Sequence, residues 1–220
     1  MIIERFGSRL SVSFAPGSER IEAVLRDAER QIAAQHARMA GLSTQVGGLI
    51  NGNVRLVTAA LVLILQQGLA SGRRFCEWGC GLGGATCAAS ALGLEARGID
   101  IDAGRVARSQ ALAARHGLPA RFEVRDYRAA NDETSAALTP GASRQSWWTA
   151  SDIIHVYPWP SEAVFIETLF LEQTPDEALL LSSYGPGEVR IHRKTHLDGR
   201  GRYAQRRRPP CTHSIRLTWP

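Results

Sequence analysis

The residues most able to do chemistry surround a glycine-rich turn in the first half of the chain. Glu77 opens the run EWGCGLGG, which ends at Gly84. Glycines in such a run allow the backbone to turn sharply and let a ligand lie against bare peptide. Gly79, Gly81 and Gly84 match the dinucleotide-binding pattern G-x-G-x-x-G. The same run also matches acid-x-G-x-G-x-G through Glu77, Gly79, Gly81 and Gly83, so two ligand templates have to be separated.

Two further acids follow the turn at the ends of the next two predicted strands. Asp100 stands where an acid would accept hydrogen bonds from ribose hydroxyls, a feature shared with NAD sites. Asp126 ends the strand after that, in the run VRDY. With the pattern acid-x-G-x-G-x-G, these acids make residues 73–184 resemble the class I methyltransferases that use S-adenosylmethionine (SAM), a Rossmann-like, seven-strand family.

The resemblance implies that SAM is the cofactor. Glu77 would lie beside the cationic methionine part of SAM, because a carboxylate suits an ammonium and a sulfonium and repels a pyrophosphate. In the family, an acid at the position of Asp126 faces the adenine amino group. The predicted cofactor-binding residues are Glu77, Gly79, Gly81, Gly83, Asp100, Asp126 and Tyr127.

An NAD-dependent oxidoreductase is the main competing enzyme class. A short-chain dehydrogenase uses Tyr-x-x-x-Lys, but Lys194 is the only lysine here, and Arg190 stands four residues before it. A dehydrogenase with two domains would need a substrate domain, for which a chain of 220 residues has no room beside the α/β core. The sequence therefore favours the methyltransferase template.

The acceptor is expected near the end of the fourth predicted strand, in the run DIIHVYPWP that begins at Asp152. Family members that methylate nucleobase amino groups carry Asp/Asn-Pro-Pro-aromatic there. Val156 and Tyr157 replace the acid or amide and the first proline of that motif, which argues against base N-methylation. The predicted catalytic residues are Tyr157, His155 and Trp159.

Each of these three residues also has a structural interpretation. His155 could act as a general base, or it could be a hydrogen-bonded structural histidine inside the strand. Trp159 could stabilise a sulfonium by cation–π attraction, or it could plug the end of the sheet. Tyr157, just beyond the strand, is the preferred catalytic residue. Positioning of the acceptor can supply much of the rate of methyl transfer, so the lack of an acid–base pair does not exclude an enzyme.

Short strands alternate with helices from residue 73 onward. The pattern predicts strands at 73–78, 96–99, 121–124, 151–156 and 177–182, with helices at 84–92, 102–116 and 161–171. Strict alternation predicts an α/β fold with a doubly wound, mostly parallel sheet and flanking helices. An N-terminal segment with helices at 18–39 and 54–69 precedes it. Segments 188–193 and 213–219 are expected to pair as edge strands around an arginine-rich loop. We expect residues 1–72 to pack on the core as a lid, with residues 43–53 as its loop, and residues 73–220 to form the SAM-binding domain.

Charge and composition bound the remaining possibilities. The segment 190–208 holds eight basic residues and one acid, or +7, although the whole chain carries +5. This basic segment makes RNA, DNA or a protein a possible but less favoured partner than a small molecule. The longest apolar stretch, 57–65, is too short for a membrane span, so a cytoplasmic protein is expected. The oligomeric state is left open.

Two minor chemical possibilities complete the sequence interpretation. Cys76, Cys80 and Cys87 crowd one turn, which indicates reduced thiols used as small apolar side chains rather than a disulfide framework. Two pairs near the C-terminus, His192 with His196 and Cys211 with His213, have a spacing that zinc ligands could use. No metal site is predicted from them, because these residue types commonly serve ordinary roles.

A protein that binds SAM without catalysis, or one that cyclises or cleaves it, is the alternative of a different class.

Overall fold

The computed structural model describes residues 4–6, 19–40, 53–128, 147–159, 161–184, 187–194 and 213–215. The helices are α1 (Glu19–Ala40), α2 (Val54–Gln66), α3 (Gly84–Ala91), α4 (Ala103–Arg115) and α5 (Ala163–Gln173). The strands are β1 (Glu4–Phe6), β2 (Arg74–Trp78), β3 (Glu95–Asp100), β4 (Arg121–Val124), β5 (Ile153–Val156), β6 (Leu179–Tyr184), β7 (Glu188–Arg193) and β8 (His213–Ile215). The five strands predicted from residue 73 onward are confirmed, with ends that differ by one or two residues.

Six of the strands form one sheet in the order β4-β3-β2-β5-β6-β7. Neighbouring strands are parallel except for β7, which runs antiparallel to β6. The chain runs outward from β2 to β4 and then returns to place β5 on the other side of β2. This reversal makes the gap between β2 and β5 the topological switch point of a doubly wound sheet, the usual place for a ligand.

The core lies on both faces of this sheet because successive side chains of a strand point in opposite directions. Phe75 packs in the larger cluster, to which helices α1 to α4 contribute. Cys76 and Trp78 pack in the smaller cluster, where α5 supplies Ile166, Leu169 and Phe170. Helices therefore cover both faces, as a doubly wound sheet requires, and β2 is buried between them. The predicted N-terminal helices are also confirmed.

The pairing of the last strands differs from the sequence prediction. Segments 188–193 and 213–219 were expected to pair as edge strands around the arginine-rich loop. Instead, the hydrogen-bonded partner of β7 is β6 and that of β8 is β1, in parallel, although β8 lies close to β7. The reason is the short connection after Tyr184, which returns the chain at once and closes an antiparallel hairpin with β6. Residues 190–193 of the basic segment thus belong to the sheet.

Asp152 joins β2 and β5 at the amino ends of the strands, opposite the glycine turn. Its Oδ2 accepts hydrogen bonds from the backbone N and the Nε of Arg74 at 2.9 and 3.1 Å. Its Oδ1 accepts a third from Nη2 of the same arginine at 2.7 Å. Burial raises the pKa of the Asp152 carboxyl, but the bonds from Arg74 outweigh it and lower that pKa overall.

Replacing Asp152 by asparagine should therefore destabilise the fold in a pH-dependent way. At neutral pH we expect the free energy of unfolding to fall by about 1–3 kcal/mol, the scale of charge-assisted hydrogen bonds. Because the folded-state pKa is lowered, the carboxylate stabilises the fold above the ordinary aspartate pKa, and this stabilisation is lost as the pH falls through the lowered value. Urea unfolding at neutral and acidic pH measures both, with the exposed Glu172→Gln as control. Equal stability of wild type and Asp152→Asn at neutral pH would contradict this assignment.

Candidate functional site

The glycine turn links the end of β2 to the start of α3. Gly79, Gly81 and Gly83 all have positive φ angles, of 75°, 54° and 75°. The N–H groups of Gly79 and Cys80 donate to the carbonyl of Ile99 on β3, at 2.9 and 2.8 Å. Gly83 is the N-cap residue of α3. The turn is thus tied to β3 on one side and to α3 on the other, so the backbone of the turn is held in one shape.

Asp100 holds the same turn from the end of β3. Its Oδ2 accepts from the N–H of Gly81 at 2.8 Å, and its Oδ1 accepts from the N–H of Asp102 at 2.9 Å. The residue is only 4% exposed, yet it lines the cleft beside the turn. A carboxylate has about four acceptor positions, so Asp100 retains the capacity to bind two hydroxyl groups of a ligand. Asp102 caps α4 by accepting from the N–H of Arg105, the role that a cap residue fulfils.

Glu77 is buried and already has protein partners on both oxygens. Its Oε2 accepts from the N–H and the hydroxyl of Thr86 at 2.9 and 2.5 Å. Its Oε1 lies 3.1 Å from Nδ1 of His155, the residue opposite it on β5. Thr86 belongs to the first turn of α3, where a negative charge is favoured. Glu77 therefore orders the floor of the cleft, and its part in neutralising a ligand cation stays a prediction.

His155 continues this buried chain of hydrogen bonds toward β6. Its Nε2 lies 2.9 Å from Oγ of Ser183. Because Nδ1 faces a carboxylate, we assign the proton to Nδ1, so that Nε2 accepts from the Ser183 hydroxyl. Both ring nitrogens are thus engaged, the arrangement of a hydrogen-bonded structural histidine. The ring also lines the cleft, and a role for His155 as general base stays a prediction.

Asp126 and Tyr127 stand beyond the end of β4. Oδ1 of Asp126 accepts from the backbone N and the Nε of Arg128 at 2.9 and 3.3 Å. The ring of Tyr127 stacks on Trp78, with centroids 6.1 Å apart and planes 15° apart. Burial, together with the nearby Glu162 carboxylate, raises the pKa of the Tyr127 hydroxyl to about 12. The phenol therefore stays protonated at neutral pH and donates to Glu162 Oε2 at 3.3 Å.

One cleft at the carboxyl ends of the strands contains nearly all the predicted site residues. Tyr157 and Trp159 line it just beyond β5, and the side chain of Trp159 is partly exposed. The others that line it are Glu77, Gly79, Gly81, Asp100, Asp126, Tyr127 and His155. Gly83 lies at the start of α3, outside this lining, and acts on the shape of the turn.

Sequence reasoning missed four charged residues in this cleft: Arg105, Arg125, Arg128 and Glu162. Arg105 lies near Asp100 and Asp102, with closest N–O distances of 3.9 and 3.7 Å. Nε of Arg125 is buried without a hydrogen-bond partner in the part of the chain that the structure describes. The only sequence signal was proximity, since Arg125 and Arg128 flank the predicted Asp126. Glu162 follows the proline-rich exit of β5 and matches no motif.

The described cysteines and histidines outside the cleft form no cluster with the composition of a metal site. Cys76, Cys80 and Cys87 are free and buried, as expected, and burial raises the pKa of the Cys87 thiol to about 12. Among the described residues, no group of three or more histidine, cysteine, aspartate or glutamate side chains could hold a metal ion. His196 and Cys211 lie outside the described residues, and the side chain of His213 is not described. Of these four candidate zinc ligands, only the side chain of His192 is described.

Comparison with known proteins adds solved structures but no family. No protein-family model matches the chain, and no curated protein matches it in sequence. The chain is similar in structure to magnesium protoporphyrin IX methyltransferase from Synechocystis PCC 6803, with 16% identity and a TM-score of 0.45, over 74% of this chain and 71% of that one. It is also similar to an RNA methyltransferase from Salinibacter ruber, with 18% identity and a TM-score of 0.43, over 58% of this chain and 73% of that one.

A third similar structure is TehB from Haemophilus influenzae, with 18% identity and a TM-score of 0.42 over 57% of this chain. The match spans only 38% of the TehB chain. The fold is Rossmann-like, as the resemblance to class I methyltransferases implies. The names of two of the three proteins give different acceptors, an RNA and a magnesium porphyrin. The structural similarity therefore does not identify an acceptor for this chain. No described helix combines the length and apolar character needed to cross a membrane.

Proposed function

We propose that this protein binds SAM in the cleft and transfers its methyl group, by in-line displacement, to a small-molecule acceptor. The observation that carries the proposal is the meeting of Asp100, Asp126 and the glycine turn in one cleft at the carboxyl ends of parallel strands. This cleft lies at the switch point of the sheet, where open α/β folds bind their ligands. The two structures named above with S-adenosylhomocysteine (SAH) bound agree with this choice of cofactor.

The geometry suits an adenosine on the β3 and β4 side of the cleft. Asp100 would accept hydrogen bonds from the ribose hydroxyls with its remaining acceptor positions. Oδ2 of Asp126 would accept from the adenine amino group, since the bonds from Arg128 use Oδ1. Ile101 is 60% exposed and lines the cleft, so it offers an apolar surface to the base. The buried negative charge of Glu77 beneath the turn disfavours the pyrophosphate that an NAD ligand would place there.

The acceptor would approach from the β5 side, past Tyr157 and Trp159. Aromatic faces attract a sulfonium and can shape an apolar pocket, so these residues would orient the methyl group and the acceptor. Ile32 of α1 and Val54 and Val57 of α2 also line the cleft. They support the expectation that the N-terminal segment, residues 1–72, acts as a lid. The residues 43–52 of the loop expected to close it lie outside the described residues.

The described cations of the basic segment 190–208 give no support for a nucleic-acid acceptor. Arg190 is paired with Glu188 and lies over the Tyr184 ring, and Arg193 bonds to Glu177 and to the carbonyl of Leu69. Lys194 donates to the carbonyl of Thr174. Three of its eight cations are therefore engaged within the fold, and the other five lie outside the described residues.

Product analysis tests both the reaction type and the acceptor side of the cleft. Incubation with methyl-labelled SAM and fractions of small metabolites should yield SAH and a labelled product by mass spectrometry. Tyr157→Ala and Trp159→Ala should each lower turnover at least about tenfold while the Kd for SAH changes by less than about threefold. The exposed Phe165→Ala, on α5 and outside the cleft lining, is the matched control. Release of methylthioadenosine would indicate SAM cleavage instead, and normal turnover in both variants would place the acceptor elsewhere.

A further inference from the structure

A guanidinium already lies between an aromatic ring and a carboxylate at the mouth of the cleft. Cζ of Arg128 is 5.8 Å from the centroid of the Tyr127 ring. Its Nη1 is 3.4 Å from Oε1 of Glu162. A cation above a π face and beside a carboxylate is the environment that proteins use for ammonium and guanidinium ligands. This corner of the cleft thus already holds a cationic group of the chain itself.

The surroundings of Glu162 make its carboxylate a defined feature of the site. Its N–H donates to the carbonyl of Trp159 at 2.8 Å, which places the two side chains at one turn between β5 and α5. The Tyr127 hydroxyl donates to its other oxygen, Oε2. The Glu162 side chain is only 18% exposed, so a cation beside it is less screened by water than one on an open surface.

Arg128 is held there only weakly. Its side chain is 53% exposed, and its pairs with Asp126 and Glu162 have N–O distances of 3.3 and 3.4 Å. Both distances are longer than the about 2.7–2.9 Å of a strong charge-assisted hydrogen bond. Another cation could therefore replace Arg128 on Glu162 at little cost, and Arg128 would keep Asp126 as its partner.

We propose that Glu162, Tyr127 and Trp159 form a subsite for an organic cation, an ammonium or guanidinium group carried by the acceptor, which Arg128 occupies until the acceptor replaces it. The assignment to the acceptor rests on the proposed function. It follows from position, because Glu162 follows β5 beside Tyr157 and Trp159, whereas Asp100 ends β3. Tyr127, next to Asp126 after β4, reaches Glu162 from the β4 side. The subsite makes a substrate with a basic group the preferred acceptor over a neutral one.

Titration with benzylamine and benzyl alcohol, followed by NMR, tests the subsite directly, since the two probes differ in charge but little in shape. In the SAH-saturated protein, benzylamine should bind at least about tenfold more tightly than the alcohol. Arg128→Gln should strengthen benzylamine binding and Glu162→Gln should abolish the preference, while the affinity for benzyl alcohol stays constant. Arg121→Gln, at the start of β4, removes the same charge at the opposite end of the strand and is the control.

Three results would overturn the proposal. Equal binding of the two probes, or an unchanged preference in Glu162→Gln, would mean that no cation subsite exists. Competition between SAH and benzylamine would assign the carboxylate to the cofactor rather than to the acceptor. The same titration without SAH separates this proposal from the proposed function. If the protein fails to bind SAH but still prefers benzylamine, and the preference depends on Glu162, SAM binding is refuted and the cation subsite is not.

Discussion

Replacing Gly83 by alanine should lower the free energy of unfolding by about 3 kcal/mol or more, the scale of a strained backbone combined with an overpacked core. Gly83 has a φ of 75°, and a Cβ atom there would lie 2.6 Å from Cβ of Ser109 on α4 and 2.9 Å from Cε1 of Phe122 on β4. The turn, α4 and β4 would have to move apart, so the cleft should also lose its shape. Urea-induced unfolding of the variant measures the effect.

Gly68 provides a matched control for this prediction. It also has a positive φ, of 58°, but a Cβ atom there would meet nothing within 4 Å. Gly68→Ala should therefore show only the conformational cost, about 1–2 kcal/mol. If Gly83→Ala destabilised the protein no more than Gly68→Ala, the close packing of the turn against α4 would be wrong.

Asp100→Ala should weaken the binding of SAH by about 1.5–3 kcal/mol, or about ten- to a hundredfold in Kd. The variant loses the acceptors for the ribose hydroxyls and also the acceptor for the N–H of Gly81. Isothermal titration calorimetry measures the change. Asp100→Asn retains an oxygen that can accept from the N–H of Gly81. If the shape of the turn matters as much as ribose binding, the loss of SAH affinity should be smaller in Asp100→Asn than in Asp100→Ala.

Asp102 is the matched control for Asp100, since it is an acid two residues away whose carboxylate caps α4. Asp102→Ala should leave the Kd for SAH close to that of the wild type and should lower only the stability, by about 1 kcal/mol. An unchanged Kd in Asp100→Ala, or equal losses in the two variants, would show that Asp100 does not contact the ribose.

The fold was predictable because its local signals agree with one another. The glycine run after an apolar segment, the caps of the helices and the strict alternation of strand and helix all indicate a doubly wound sheet. The pairing of the last strands was not predictable, since two short edge segments can pair with any free edge. The choice depends on the short connection between Tyr184 and Glu188 and on β1, and the three residues of β1 carry no distinctive pattern.

The cofactor side of the cleft was more predictable than the acceptor side. Acids at the ends of neighbouring parallel strands must lie near one another, so Asp100 and Asp126 could be placed from their positions alone. The contact of Glu77 with His155 depends on the register of β2 against β5, which the sequence does not specify. Arg128 and Glu162 are 34 residues apart, and they meet only because the fold brings the start of α5 to the end of β4.

The most direct test of the central claim is calorimetric titration of the wild-type protein with SAM, SAH and NAD. The acids and the glycine turn predict that SAM and SAH bind at one site per chain, and that NAD does not compete, because Glu77 disfavours a pyrophosphate at the turn. Asp100→Ala supplies the reference for weakened binding in the same cleft. Tighter binding of NAD than of either SAM or SAH would contradict the proposed function.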